Sequence, residues 1–121
     1  MGVAFYFCYN TFMNQKLTEQ KCEACEGGVL PLNKVEAEIL LKQIPGWELA
    51  ADAKSISRSY EFKNFQKALA FVNKVGELAE SEGHHPDIHL INYRQVSIDL
   101  TTHAIGGLSN NDFILAAKID Q

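Results

Sequence analysis

The chain has 121 residues, of which 46% are hydrophobic and 21% are charged, as expected for a single soluble globular domain. Its formal net charge is −4 and no basic stripe is present, so direct binding of nucleic acid is not expected. The longest apolar run, residues 1–9, is shorter than the roughly 17–25 residues that cross a membrane and lacks the basic start of a signal peptide. We therefore expect a cytoplasmic protein with no membrane association.

The cysteines support this expectation. The chain has three, Cys8, Cys22 and Cys25, and an odd number confined to the first 25 residues is not a disulfide framework. Cys22 and Cys25 could form a zinc site with His85 and His89. However, 59 residues separate the two halves of this set, whereas a compact zinc finger has about 12–15. We therefore expect no metal.

The N-terminal part, residues 1–33, is predicted to be an extension and loop. Residues 1–12 are aromatic and uncharged. Two interpretations remain open for them: translation begins at Met13, or the residues form an arm that docks on another subunit. Residues 14–33 are polar and end in Gly27-Gly28 and Pro31, which is typical of a loop.

The folded domain is predicted over residues 34–121 and begins with a helix capped by Asn33. The helix is predicted from the spacing of its apolar residues, and Pro45-Gly46 ends it. Segments 47–51 and 56–62 follow, and alternation of apolar and polar residues in the second predicts a β-hairpin. The apolar residues of the helix are Val35, Ile39, Leu40 and Ile44.

The longest helix is predicted to begin after Asn64 and to end at Gly83, the residue type that commonly terminates helices. Strands at 87–91 and 93–102 follow. Ser109 and Asp112 then form a capping-box pattern that begins a last helix. The stripe of the long helix consists of Phe65, Leu69, Val72, Val75 and Ala79, flanked by Ala68 and Phe71. This order predicts an α+β fold with the helices on one face of an antiparallel sheet.

Three of the four histidines lie where predicted elements end. His84 and His85 follow Gly83, and His103 ends a strand on its polar face. Glu80 is one helical turn before His84. Imidazoles titrate near neutral pH, so one can donate a proton while another accepts one. The alternative is that they only cap helix ends, and composition leaves this open.

An ordered pattern of residues carries a resemblance to a known family. Three residues separate Glu80 from His84-His85-Pro86, six separate Pro86 from Tyr93, and nine separate Tyr93 from His103, with Asp112 beyond. Pro45-Gly46-Trp47 and residues 107–113 also match. Over residues 34–120 the chain resembles the pterin-4a-carbinolamine dehydratase family, also known as the dimerisation cofactor of a homeodomain transcription factor.

The resemblance implies a four-stranded antiparallel sheet with three helices on one side. It also implies a homodimer that joins sheets edge to edge, or a homotetramer formed through helix packing. The implied reaction is loss of water from a 4a-hydroxytetrahydropterin to give quinonoid dihydropterin, which recycles a tetrahydrobiopterin-type cofactor. A hydro-lyase of this kind uses no metal and no organic cofactor of its own.

The resemblance also implies roles for individual residues. His84 and His103 would transfer protons, although which is the acid and which the base stays open, and His85 would grip the pterin. Glu80 and Asp112 would orient or polarise the histidines. The substrate would contact Gly83, Pro86, Thr101 and Thr102. Because the histidines are expected on exposed loops, replacing one is expected to change stability by no more than about 0.5 kcal/mol.

The family also suggests an alternative function. Its second name implies a protein-binding module that stabilises a transcription-factor dimer, so a protein partner is possible. Asp112 has a purely structural alternative as a helix-capping residue.

Overall fold

The computed structural model describes residues 16–23 and 29–121, so the interpretations of residues 1–12 and of Cys25 lie outside the described residues. The elements are α1 (Lys34–Leu41), β1 (Glu48–Leu49), β2 (Ile56–Glu61), α2 (Phe65–Glu82), β3 (Asp87–Ile91), β4 (Gln95–Leu100) and α3 (Asn110–Ile119). Single 3₁₀ turns are found at Leu17–Glu19 and His103–Ile105. Within the described ranges, no helix is long and apolar enough to cross a bilayer.

The four strands form one antiparallel sheet in the order β1-β2-β4-β3. The register pairs Ile56 with Leu100 and Ile88 with Ile98, which places most of the apolar side chains of the three longer strands on one face, with Ile91 on the other. The helices supply much of the rest of the core on that face, including the fully buried Phe113. The predicted α+β fold is confirmed.

The predicted starts of α1 and α2 and the predicted end of α2 are confirmed. In contrast, α1 ends at Leu41, before the predicted stop at Pro45-Gly46, and Ile44 lies outside the helix. Asn33 accepts a hydrogen bond from the Glu36 N–H at the start of α1, and Asn64 does the same for Lys67 at the start of α2. Gly83 follows α2 in the left-handed conformation with φ of 66°, which a residue without Cβ adopts at little cost.

Two predicted strands are shorter than expected. The first strand of the hairpin comprises only Glu48–Leu49, because the chain turns back at once through a hydrogen bond from the Ala50 N–H to the Ser55 carbonyl. The last strand spans Gln95–Leu100 and not residues 93–102, so His103 does not end the strand but begins the following 3₁₀ turn. Asn92 and Tyr93 have φ of 48° and 56°, so they form the tight turn between β3 and β4.

The apolar stripes of α1 and α2 are only partly buried. Val35 and Ile39 are 65% and 40% exposed, while Ala37 and Leu40 face the core. Both pairs have helical spacing, so spacing alone could not distinguish the buried side. In α2 the stripe is buried toward its C-terminal end, and Phe65 and Leu69 remain 48% and 41% exposed.

The described part of the predicted N-terminal loop is packed against the domain. Lys16–Glu23 contains one 3₁₀ turn and contacts α3, and Leu17 is 2% exposed as a member of the core. A single apolar residue in a polar stretch gave no periodicity from which this docking could be predicted.

Candidate active site

A cavity of about 250 Å³ opens where four parts of the fold meet. These parts are the end of α2, the turn that follows β4, the first turn of α3 and the docked N-terminal segment. The volume is close to the lower end of small-molecule pockets, about 300 Å³. The described residues lining it are Glu23, Gly83, His84, His85, Thr101, Thr102, His103, Ala104 and Asn111.

A close contact behind the cavity wall joins His84 to Asp112. Their Nε2 and Oδ1 atoms are 2.6 Å apart, and the side chains are 11% and 0% exposed. The left-handed Gly83 turns the chain at the end of α2 and thereby directs His84 toward α3. The expectation that His84 lies exposed on a loop is therefore wrong, because the imidazole packs over a buried carboxylate.

The second oxygen of Asp112 has a structural function. Oδ2 accepts hydrogen bonds from the Thr102 hydroxyl at 2.8 Å and from the Ser109 N–H at 3.0 Å, the latter being the predicted capping box. The capping role and the orienting role thus use different oxygens of one carboxylate. Three donors satisfy the buried charge, as a carboxylate removed from water requires.

His85 has a carboxylate partner of a different character. Its Nε2 lies 2.8 Å from Glu80 Oε1, but the two side chains are 64% and 80% exposed. An ion pair at this exposure contributes about 0–1 kcal/mol. His85 lines the cavity and Glu80 lies outside it, so the Glu80 carboxylate reaches the site through His85.

The opposite wall is formed by the chain after β4. His103 is exposed at the start of its 3₁₀ turn and lines the cavity beside Thr101 and Thr102. The Thr101 hydroxyl donates to the Lys54 carbonyl at 2.6 Å, which ties this wall to the loop between β1 and β2.

Most of the residues expected at the site are brought together. Gly83, His84, His85, Thr101, Thr102 and His103 line the cavity, and Asp112 lies directly behind His84. Pro86 does not line it, because the chain enters β3 at Asp87 and leaves the cavity. Tyr93 of the motif lies in the β3–β4 turn and is 60% exposed.

The fourth histidine is separate from the cavity. His89 is on β3, on the sheet face opposite the helices, and its Nε2 lies 3.1 Å from Asp99 Oδ2. Both side chains are about half exposed, at 54% and 41%. His85 and His89 therefore have separate carboxylate partners, and no group of His, Cys, Asp and Glu suited to a metal occurs within the described ranges.

Sequence reasoning missed Glu23 and Asn111. The Glu23 N–H donates to Asn111 Oδ1 at 2.9 Å, and Asn111 Nδ2 donates back to the Glu23 carbonyl. Asn111 could have been suspected because it precedes Asp112. Nothing in the sequence points to Glu23, whose position depends on the docking of the N-terminal segment.

A second anchor holds this segment beside the cavity. The Cys22 N–H donates to Glu82 Oε1 at 2.9 Å, and Lys118 Nζ donates to Glu82 Oε2 at 2.6 Å. Burial and the nearby Glu82 charge raise the pKa of the Cys22 thiol to about 12. Burial alone would raise the pKa of Glu82, but the hydrogen bonds from Lys118 and Cys22 outweigh it and hold that pKa below its ordinary value.

Fold and cavity together define a class: a small α+β protein with a pocket lined by three imidazoles. Residues 30–121 match the family model described as pterin 4 alpha carbinolamine dehydratase, and the chain belongs to that family. The resemblance found in the sequence is therefore confirmed, and with it the class of enzyme, a hydro-lyase.

Individual relatives agree with this assignment. A protein of Nitrosomonas eutropha, provisionally named pterin-4-alpha-carbinolamine dehydratase, is 54% identical over 105 residues, which cover 86% of this chain and 90% of the relative. The mitochondrial pterin-4-alpha-carbinolamine dehydratase 2 of Arabidopsis thaliana is 46% identical over 87% of this chain and 58% of its own length. A crystal structure from Brucella melitensis, described as a transcriptional coactivator/pterin dehydratase, is 30% identical, with a TM-score of 0.69 over 74% of this chain and 95% of that one.

Proposed function

We propose that the protein dehydrates a 4a-hydroxytetrahydropterin in this cavity by histidine acid/base catalysis. The observation that carries the proposal is the His84–Asp112 contact of 2.6 Å, made by a buried carboxylate at a cavity that two more imidazoles line. The substrate has a hydroxyl on C4a and a hydrogen on N5. Loss of water therefore needs an acid at the leaving oxygen and a base at N5.

His84 is the better base of the two proton-transferring histidines. With Asp112 accepting from Nε2, the neutral ring carries its hydrogen on Nε2 and has Nδ1 as an acceptor. The same carboxylate stabilises the imidazolium that forms when Nδ1 takes the N5 proton. This arrangement follows the general logic of a carboxylate that orients a histidine base.

His103 then serves as the acid. Its protonated ring donates to the C4a hydroxyl, the C4a–O bond breaks, water leaves, and the electron pair released at N5 forms the C4a=N5 double bond. One proton is given by His103 and one is taken by His84, so exchange with solvent restores both rings. His103 is exposed, which allows that exchange.

His85 is suited to binding more than to proton transfer. Its exposed pair with Glu80 costs little to rearrange, so the ring can turn toward a bound pterin while Glu80 still limits its position. Thr101 and Thr102 complete the polar wall opposite.

The test is a dehydration assay on the purified chain. A 4a-hydroxytetrahydropterin generated in place is followed by the absorbance of the quinonoid product, and the rate is compared with that in buffer alone. We expect a protein-dependent rate that His84→Ala and His103→Ala reduce and that His89→Ala leaves unchanged. A wild-type rate equal to that in buffer would exclude the proposal.

We also propose that the chain self-associates. β3 is an edge strand of the sheet, and Phe65 and Leu69 expose apolar surface on α2. Sedimentation at micromolar concentration is expected to give a dimer or tetramer, and a monomer would contradict the proposal. Protein binding of the kind suggested by the words transcriptional coactivator for the Brucella structure is a second candidate function, favoured by the same exposed residues.

A further inference from the structure

The described N-terminal segment Lys16–Glu23 is fixed at both of its ends. Near its start, Leu17 is inserted into the core at 2% exposure. Near its end, Cys22 binds Glu82, whose side chain is 10% exposed and paired with Lys118. The position of Glu23 relative to the cavity is therefore set by the fold.

Asn111 gives the segment its closest connection to the site. Its side-chain amide accepts from the Glu23 N–H and donates to the Glu23 carbonyl, and the residue is only 6% exposed. A primary amide is among the few side chains that can accept and donate in this way. The next residue, Asp112, holds His84. Two consecutive residues of α3 thus position two walls of one cavity.

Glu23 differs chemically from the other residues of the cavity. Among the described residues lining it, Glu23 is the only carboxylate, and the others contribute imidazoles, hydroxyls, an amide and small side chains. The pyrimidine edge of a pterin presents two adjacent donors, the N3–H and the 2-amino group. A carboxylate, with two acceptor oxygens and no hydrogen, matches that pair.

We infer that Glu23 is a pterin-binding residue and that Asn111 is the positioning residue that holds it at the cavity. The inference rests on the proposed function, because it assigns the end of the same cavity that receives the pyrimidine edge. The carboxylate accepts from the pterin while the histidines act on C4a and N5. Glu23 and Asn111 therefore affect substrate binding more than the chemical step.

The experiment compares Glu23→Ala, Glu23→Gln and Asn111→Ala with matched controls. Glu19→Ala changes an exposed carboxylate of the same segment, and Asn110→Ala changes the neighbouring asparagine of α3; neither residue lines the cavity. Two measurements are made: kcat and KM for dehydration, and the Kd of oxidised pterin from quenching of its fluorescence.

We expect Glu23→Ala and Asn111→Ala to raise KM and Kd about tenfold with kcat within about threefold of wild type, since the charge-assisted hydrogen bonds to the pterin are lost or misplaced. Glu23→Gln is expected to lie between Glu23→Ala and wild type, and the controls to match wild type. Glu23→Ala leaves the backbone clamp intact, so its result does not depend on undocking of the segment.

The failure of this inference can be distinguished from failure of the proposed function. A wild-type chain that dehydrates substrate while either Glu23→Ala or Asn111→Ala keeps the wild-type KM and Kd overturns the inference alone. A wild-type chain without turnover whose pterin Kd depends on Glu23 and Asn111 overturns the proposed reaction and retains the binding assignment.

Discussion

The two ends of α3 each carry an aspartate that accepts three hydrogen bonds. Asp112, in the first turn, accepts from His84, Thr102 and the Ser109 N–H. Asp120, just past the last turn and about 12 Å away along the helix, accepts from other side chains. Its donors are Trp47 Nε1 at 2.7 Å, Arg58 Nη1 at 2.9 Å and the Tyr60 hydroxyl at 2.6 Å.

The two aspartates differ in the kinds of hydrogen-bond donor that they bind. The guanidinium of Arg58 and the indole of Trp47 are hydrogen-bond donors only and do not serve as acids or bases. Burial and the hydrogen bond to Asp120 raise the pKa of Tyr60 above its ordinary value, so the phenol stays protonated. His84 differs from all three, because an imidazole can both donate and accept a proton during a reaction. Asp120 is therefore a fixed anchor between α3 and β2, whereas Asp112 holds the side chain that the proposed reaction protonates.

The largest expected contrast between Asp112 and Asp120 comes from removing one hydrogen-bond donor from each. His84→Ala should reduce kcat/KM about 10²-fold or more, the usual contribution of a positioned acid or base. Tyr60→Phe should leave kcat/KM within about twofold and reduce the free energy of unfolding by about 1–3 kcal/mol. Steady-state kinetics and urea unfolding on both variants check this.

His84→Ala is also expected to cost about 1–2 kcal/mol of stability, since the buried Asp112 loses a donor. The sequence-based expectation of nearly unchanged stability assumed an exposed ring. His103→Ala should match the catalytic loss without a similar loss of stability. The double variant should lose less than the product of the single losses. Full turnover in His84→Ala would make the histidine structural.

Changing the carboxylates themselves sharpens the comparison further. Asp112→Asn should reduce kcat about 10–100-fold, the usual effect of losing a group that orients another, because the amide does not stabilise the imidazolium of His84 equally. Asp120→Asn should lower the midpoint of unfolding while kcat per folded molecule stays at the wild-type value. Equal kcat losses in the two variants would remove the distinction between site and anchor.

Features that depend on local sequence could be predicted, whereas contacts between distant segments could not. Asn33, Asn64 and Gly83 mark helix ends by local chemistry, so the order of elements and the fold were predictable. The histidines and Asp112 were found because they are ordered along a family pattern. Glu23 and Asn111 were missed because their association joins segments 88 residues apart, and the exposed side of α1 was missed because two faces have helical spacing.

The stability contributed by the contact of Cys22 with Glu82 should fall at both acidic and alkaline pH. The pKa of Glu82 is lowered from 4.5, so its contribution to stability is present above that pH and is lost as pH falls further. The pKa of Cys22 is raised from 9.0 to about 12, so its contribution is present below pH 9 and is lost as pH rises toward 12. The unfolding temperature of Glu82→Gln should be closest to that of wild type at pH values well below 4.5. The unfolding temperature of Cys22→Ala should be closest to that of wild type as the pH approaches 12. A difference independent of pH would contradict the assignment.

The smallest effect is expected at His89. Like His84, it contacts an aspartate, with 3.1 Å between His89 Nε2 and Asp99 Oδ2, but both side chains are about half exposed on the open face of the sheet. Solvent screens such a pair, and an exposed ion pair contributes about 0–1 kcal/mol. His89→Ala should therefore keep kcat/KM within about twofold and the free energy of unfolding within about 0.5 kcal/mol. A tenfold fall in kcat/KM, with the oligomer intact by sedimentation, would show that contact with a carboxylate makes a histidine functional here regardless of burial, and that the cavity does not set the boundary of the site.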